Sequence, residues 1–332
     1  MTPSRSAILA FAASLLFPIA AAAQGSGETV KVQDWPGTGN MLLKVAISKG
    51  YCERQGIKCE RQVLATAPLG LQALAGKSID IAMPSTDVAL NAIQKGMKLK
   101  IIGGAIVTAA GLMVVRNDFE DRAGFPADVA GLKGRRVAVP VRNGSGETMS
   151  NLVLAEGGLK PTDVTYIAIG SVPDAMNALK TRQVEAVLNV EPAGAICAVE
   201  KWCKVLWRGA TDRVPKALYG VNGAQVLHVT RDDLISERPQ VIAAYQNAIR
   251  AAERFIQDPA NAAEVEAIAG QYFKPEGENG AAITAAALRS TLPGYRASVD
   301  RDALNRVMDL MEISGQLEKR LDIPSLLSPN VP

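Results

Sequence analysis

The chain has 332 residues, of which 48% are hydrophobic and 21% are charged, and its formal net charge is +3. This length predicts two domains, and the apolar content excludes a largely disordered chain. A charge this small, with aromatics at 5%, argues against nucleic-acid binding, and a single histidine excludes histidine-rich metal sites. We therefore expect no metal, no cofactor and no nucleic-acid partner.

Residues 1–23 predict a secretory signal peptide. Arg5 precedes an apolar run over 7–23, whose last residues before Gln24 are Ala21, Ala22 and Ala23. The rival interpretation is a transmembrane anchor, but the run is slightly short and Pro18 interrupts it. We expect cleavage at the small residues and a soluble, exported mature protein.

The next stretch predicts alternating short strands and helices. Helix 40–49 carries apolar residues at helical spacing, and Gly50 ends it. The predicted strands are 29–33, 57–64, 79–83 and 100–103, and the predicted helices are 40–49, 69–75 and 86–95.

The four cysteines fall in two close pairs, Cys52 with Cys59 and Cys197 with Cys203. In an oxidising compartment, an even count at short spacing predicts two small disulfide loops. Four cysteines allow three connectivities, and free buried thiols are the alternative. Zinc sites prefer tighter Cys-x-x-Cys spacing.

The chain also contains an internal repeat. Residues 73–82 (ALAGKSIDIA) and 178–187 (ALKTRQVEAV) place apolar, basic and acidic residues in the same order. A repeat of this length is a whole domain and not a solenoid unit. The second copy predicts strands 136–140, 164–169, 186–189 and 204–206, with helices 147–156, 173–180 and 194–199.

Two further strands, 112–116 and 225–230, are predicted to cross between two lobes as a hinge. The helices that follow have no counterpart in the second copy, so we place them on the first lobe; they are 239–257, 261–269, 281–290 and 301–319. The predicted first lobe is 24–116 with 223–332, and the second is 117–222. The fold class is α/β, with a mostly parallel sheet flanked by helices in each lobe.

Small polar residues follow the predicted strands, where loops lead into helix N-termini. Ligands of open parallel sheets bind at this edge, and free N–H groups with helix dipoles attract anions. In loop 143–146 the glycines allow close approach and Ser145 can donate to an oxyanion, although helix capping alone would explain these residues. The candidate ligand-binding residues are Trp35, Thr38, Asn40, Thr66, Ser85, Thr86, Arg142, Asn143, Ser145, Gly146 and Glu191.

Several candidates have competing explanations. Trp35 would either form an aromatic wall of the cleft or pack beneath its loop. Arg142 would pair with a ligand carboxylate or face solvent. Thr86 would donate to a ligand or cap its helix. Glu191 would hold a ligand amine or shape a turn with the following proline, and we favour the turn.

No motif predicts an enzyme. Residues 142–146 lack the first glycine of a G-x-S-x-G elbow, and His228 lies in an apolar strand where core packing is expected. No phosphate-binding G-x-G-x-x-G follows a strand. We therefore expect a binding protein.

Motifs along nearly all of the mature chain resemble one family. They are AISKGY with QGI (46–51, 55–57), ALAGKSID (73–80), GLKGRRVAV (131–139), GLKPTDV (158–164) and Glu191 with Pro192. In this order they resemble the periplasmic substrate-binding proteins of ABC importers for nitrate, sulfonate, taurine and bicarbonate, whose relatives bind pyrimidine precursors of thiamine. Gly131 stands where the family usually has aspartate.

The resemblance implies a type II periplasmic binding protein fold, whose two lobes close on a ligand. It places the loops that begin at Trp35, Ser85 and Asn143, and the Glu191 turn, along the cleft. The leading hypothesis is the extracytoplasmic solute-binding component of an ABC importer. It would bind a small organic anion, which is a carboxylate or a sulfonate and can be aromatic. The protein would be a monomer that contacts the permease transiently. The alternatives are a hydrolase or transferase on the same lobes, and a ligand-sensing subunit of a signalling system.

Overall fold

The computed structural model describes residues 27–119, 123–273 and 277–331, so the predicted signal peptide lies outside the described residues. The strands are β1 (Thr29–Asp34), β2 (Lys58–Val63), β3 (Leu99–Ile106), β4 (Leu112–Arg116), β5 (Arg136–Val139), β6 (Thr165–Ala168), β7 (Ala186–Asn189), β8 (Cys203–Arg208) and β9 (Val226–Arg231). Along the described ranges, no helix combines the length and the apolar character needed to cross a bilayer.

The first seven helices are α1 (Met41–Ser48), α2 (Tyr51–Arg54), α3 (Ala67–Ala75), α4 (Thr86–Gln94), α5 (Ser145–Glu156), α6 (Val172–Lys180) and α7 (Ala193–Glu200). The later ones are α8 (Lys216–Gly220), α9 (Asp232–Glu237), α10 (Pro239–Gln257), α11 (Ala262–Tyr272), α12 (Gly280–Thr291), α13 (Arg301–Ile313) and α14 (Ile323–Leu326).

The first sheet combines two strand pairs. β1 pairs with β2 in parallel, and β3 pairs with β9 in antiparallel orientation. Single bridges from Val32 to Ile81 and from Ala82 to Val229 join the two pairs. The resulting order is β2–β1–(81–82)–β9–β3, so the strand predicted at 79–83 is reduced to its bridging residues.

The second sheet has five strands in the order β6–β5–β7–β4–β8. β5 runs parallel to β6 and β7, whereas β4 runs antiparallel to β7 and β8. Each sheet therefore has one antiparallel strand in its fourth place and the same connectivity among the others. This agreement is what an internal repeat produces, and the predicted α/β class is confirmed.

The two predicted crossing strands belong to different sheets. β9 returns to the first sheet, as predicted. β4 pairs with β7 and β8, so Leu112–Arg116 belongs to the second sheet and the boundary predicted after Arg116 is wrong by one strand. Hydrophobic patterning identifies a strand but not its partners, which explains the error. The rest of the predicted lobe division stays a prediction.

The helices after β9 pack on the first sheet. Tyr245 of α10 shares a core with Val30 of β1, and Val307 of α13 shares one with Leu90 of α4. Helix α13 ends at Ile313 and not at the predicted residue 319, because Gly315 takes a left-handed φ of 68° that stops the helix.

Both predicted disulfides are confirmed. Cys52 bonds to Cys59 and ties α2 to β2, with an S–S distance of 2.02 Å. Cys197 bonds to Cys203 and ties α7 to β8, with an S–S distance of 2.05 Å. Each bridge therefore fixes a helix to the strand beside it.

Candidate functional site

The predicted ligand loops lie at one edge of each sheet. In the first sheet, β1 leads into the Trp35 loop and residues 81–82 lead to Ser85. In the second, β5 leads into loop 143–146 and β7 leads into Glu191. Because these strands are parallel within each sheet, their carboxyl ends share the edge at which ligands of open sheets bind.

Contacts between the lobes show that these edges face each other. Hydrogen bonds cross from Ser145 Oγ to Asp87 Oδ2 (2.5 Å), from Ser290 Oγ to Glu191 Oε1 (3.0 Å) and from Gln316 Nε2 to Thr148 Oγ1 (3.3 Å). Apolar side chains of α12 also pack on α7, with Ile283 and Ala287 against Ala195. The lobes are therefore in contact through α4 with α5 and through α12 with α7.

A buried ion cluster fixes the backbone before the Trp35 loop. The Asp34 carboxylate accepts hydrogen bonds from Lys44 Nζ and Arg61 Nε, both at 2.7 Å. Lys44 also donates to the Trp35 carbonyl oxygen at 3.5 Å. Asp34 and Lys44 are fully buried, and burial lowers the pKa of Lys44 although Asp34 opposes this shift. Sequence reasoning missed this cluster because its three members lie on separate elements.

The Trp35 side chain packs against the first core but keeps an unused donor. A Cβ at Gly39 would lie 2.6 Å from the Trp35 Cβ, so the loop needs glycine there. Indole Nε1 is buried and has no hydrogen-bond partner among the described residues. Trp35 therefore packs on the core as one of the two interpretations expected, and its ligand role stays a prediction.

Other candidates of the first lobe hold local structure. Asn40 Oδ1 accepts from the Leu43 N–H at 3.2 Å and caps α1. Thr66 Oγ1 accepts from the Leu69 N–H at 3.4 Å and caps α3. The Thr38 carbonyl oxygen accepts from the hydroxyl of buried Tyr295. Their ligand roles stay predictions, and the polar atoms named here are already engaged.

Ser85 and Thr86 differ in whether their hydroxyl groups are hydrogen-bonded. Thr86 Oγ1 donates to the Ala224 carbonyl oxygen at 2.5 Å, and the Thr86 N–H donates to Gln225. These bonds tie the start of α4 to the segment before β9. The Ser85 hydroxyl makes no hydrogen bond within the described part of the chain, although Ser85 directly precedes α4. Ser85 is therefore the better candidate donor of the two.

The loop after β5 is organised by Glu147. Its Oε2 accepts from Arg142 Nε at 2.7 Å and from the Asn143 N–H at 2.9 Å. The hydrogen bond from Arg142 lowers the pKa of Glu147. A Cβ at Gly146 would lie 2.9 Å from Pro140 Cδ, so this glycine serves packing as well. The Arg142 guanidinium is paired inside the loop, and its ligand role stays a prediction.

Glu191 forms a polar junction between the lobes. Its side chain is 5% exposed and pairs with Arg208 Nη1 at 2.6 Å. The same carboxylate accepts from the Ala195 N–H at 2.9 Å and from Ser290 Oγ at 3.0 Å. This arrangement suits the turn role, and an interaction of Glu191 with a ligand amine stays a prediction.

Two buried polar residues at the cleft were not selected from the sequence. Asn189 ends β7, and its Nδ2 has no partner among the described residues, whereas its Oδ1 accepts from the Val190 N–H. Gln225 precedes β9, and its Oε1 is likewise buried and unpaired in the described ranges. A polar residue at the carboxyl end of the apolar strand 186–189 was the available signal for Asn189.

Comparison with known proteins identifies relatives along most of the chain. Residues 26–270 match the NMT1-like family, which is more than half of the chain. A protein of Brucella abortus strain 2308, named only as a binding protein, is 23% identical over 294 residues, covering 86% of this chain and 85% of that protein.

Two solved structures share the architecture. The periplasmic aliphatic sulphonate binding protein SsuA of Escherichia coli superposes with a TM-score of 0.71 at 18% identity, covering 90% of this chain and 92% of SsuA. The periplasmic nitrate-binding protein NrtA of Synechocystis PCC 6803 gives a TM-score of 0.67 at 17% identity, covering 89% of this chain and 83% of NrtA. The predicted periplasmic binding protein fold and the predicted resemblance are confirmed, and the match over residues 26–270 means that the chain belongs to the NMT1-like family.

Proposed function

We propose that this protein is the solute-binding component of an ABC importer and that it binds a small organic anion between its lobes. The observation that carries the proposal is a set of unpaired donors on the two facing edges. Trp35 and Ser85 follow strand ends at the first edge, and Asn189 ends a strand at the second; Trp35 Nε1, Ser85 Oγ and Asn189 Nδ2 have no partner among the described residues. Donors without partners suit the oxygens of a carboxylate or sulfonate.

The proposed mechanism is closure of the lobes around the solute. A ligand that contacts both edges binds the closed form better, so it shifts the population toward closure. Closure would then create the surface that the membrane permease subunits bind. SsuA and NrtA, which share the fold, are named as periplasmic proteins for sulphonates and nitrate. We accordingly propose a periplasmic location.

We expect Asn189→Asp to weaken binding of the anionic solute at least tenfold. The substitution keeps the oxygen that accepts from Val190 but replaces the unpaired donor with a carboxylate oxygen, which repels an anion. A thermal-shift screen of carboxylates, sulfonates and nitrate would first identify a ligand, since binding raises the melting temperature. Calorimetry on that ligand would then compare the variants.

The matched control is Ser171→Ala at the start of α6. The Ser171 hydroxyl lies at the same sheet edge but already bonds to Asp174 at 2.6 Å, so we expect its loss to change affinity less than threefold. Unchanged affinity in a folded Asn189→Asp variant would remove Asn189 from the site. Stabilisation by neutral solutes alone would reject the anion class.

A further inference from the structure

We propose that the inter-lobe cavity beside Asp87 binds an ammonium group, so that the transported solute carries a cationic N–H donor in addition to its anionic group. This inference rests on the proposed function in one respect, which is that the ligand is a transported solute. The chemistry of the cavity can be tested without that assumption.

The first acceptor is the Asp87 carboxylate in the first turn of α4. It accepts one hydrogen bond, from Ser145 Oγ of the other lobe at 2.5 Å. Asp87 makes no ion pair within the described part of the chain. A carboxylate offers about four lone-pair positions, so most of its accepting capacity is unused. A partly buried anion without a cation is costly, and an ammonium partner would remove that cost.

The second acceptor is Gln225, which lines the same cavity. Gln225 is 8% exposed, and its Oε1 has no donor among the described residues. Gln225 lies next to Asp87 in space, because its carbonyl oxygen accepts from the N–H of Thr86. Two unrelated acceptors therefore meet in one buried place, which is independent support for a donor-bearing ligand.

Three of the donors around this cavity are already engaged. The Thr86 hydroxyl donates to Ala224 at 2.5 Å, and Gln316 Nε2 donates to Thr148 at 3.3 Å. Ser145 Oγ donates to Asp87 itself. The protein thus offers the cavity the unpaired Gln225 oxygen and a carboxylate with unused accepting capacity, which an ammonium group can fill.

The size and lining of the cavity fit such a group. Its volume is about 40 Å³, and a single water needs roughly 10–15 Å³ measured in the same way. Apolar side chains of α8 and α13 complete the wall, among them Leu218, Val307 and Met311. They would pack against the carbon next to the nitrogen. The structure therefore assigns this place to the end of an alkylammonium.

The test uses methylammonium chloride as the probe, because it samples the cavity without knowledge of the solute. Isotope-labelled full-length mature protein would be titrated and followed by NMR at the side-chain amide of Gln225, with potassium chloride as the ionic-strength control. The signal is assigned by its loss in Gln225→Met. We expect a saturable shift in the wild type and at least tenfold weaker affinity in Asp87→Asn, which keeps an oxygen that can accept from Ser145.

The matched control is Asp174→Asn, since Asp174 is also a first-turn acid that accepts from a serine hydroxyl but is exposed. It should leave methylammonium affinity unchanged. A linear response in the wild type, or equal affinity in Asp87→Asn, would overturn the subsite. If methylammonium binds but no anion does, the proposed function is rejected and the subsite stands. If an anion binds but methylammonium does not, the subsite is rejected and the proposed function stands.

Discussion

Replacing Asp34 with alanine is expected to lower the free energy of unfolding by about 3–5 kcal/mol, because it strands a buried cation. Lys44 and Asp34 have side-chain exposures of 1% and 0%, so water cannot take over the role of the carboxylate. The loss should also loosen the Trp35 loop, since Asp34 directly precedes it. Denaturant unfolding of the purified variant measures the first effect, and ligand affinity measures the second.

The pH dependence of this variant gives an independent check. Burial lowers the pKa of Lys44 and Asp34 partly restores it, so removing Asp34 should lower that pKa further. Between the lowered value and the ordinary pKa of 10.5, the unfolded chain binds the proton more strongly than the folded one. Stability of the variant should therefore rise with pH over that window, more than in the wild type.

The matched control for this effect is Glu264→Ala, which removes an exposed partner of Lys49. Glu264 is 51% exposed, so its loss should cost less than about 1 kcal/mol. A small loss in Asp34→Ala, similar to that of Glu264→Ala, would show that the buried cluster does not stabilise the fold.

Acidification from pH 6.5 to pH 4 is expected to cost about 3 kcal/mol of stability through His228 alone. His228 lies in β9 at 1% exposure, and burial lowers its pKa from 6.5 to about 4. Between these values the unfolded chain binds a proton that the folded chain does not, so stability falls as the pH falls. Below pH 4 both states are protonated and this contribution stops changing.

The comparison variant is His228→Phe. Phenylalanine keeps an aromatic ring beside Tyr245, which lies 5.6 Å away in an edge-to-face arrangement. The chain has one histidine, so the difference between the two stability curves isolates its titration. Chemical denaturation across pH 4–7 should show that difference changing by about 3 kcal/mol. Parallel curves would contradict a neutral, buried His228.

Much of the secondary structure follows from sequence patterning. Strands 112–116 and 186–189 and helix 239–257 were predicted with the observed bounds, because their apolar spacing is uninterrupted. The strand predicted at 79–83 shrank to two bridges, and β4 joined the unexpected sheet. Both differences depend on pairing with residues far along the chain, which local patterning does not contain.

The site was predictable as a location but not atom by atom. Loops at strand ends were identified, yet capping and ligand binding call for the same serines, threonines and asparagines. The Thr86 hydroxyl donates to Ala224, 138 residues away, and the Glu191 carboxylate pairs with Arg208. Only the folded arrangement distinguishes these engaged groups from the unpaired atoms of Trp35 and Asn189.

The positions of β4 and β9 make the sequence separation between paired strands different in the two lobes. All strands of the second sheet lie within 112–208, whereas the first sheet stays open between residues 81–82 and β3 until residues 226–231 arrive. Long-range pairing of this kind is slow because loop closure must precede it. We expect the second lobe to fold first and independently of the first. A nascent chain that stops before β9 would expose unpaired strand edges that favour aggregation.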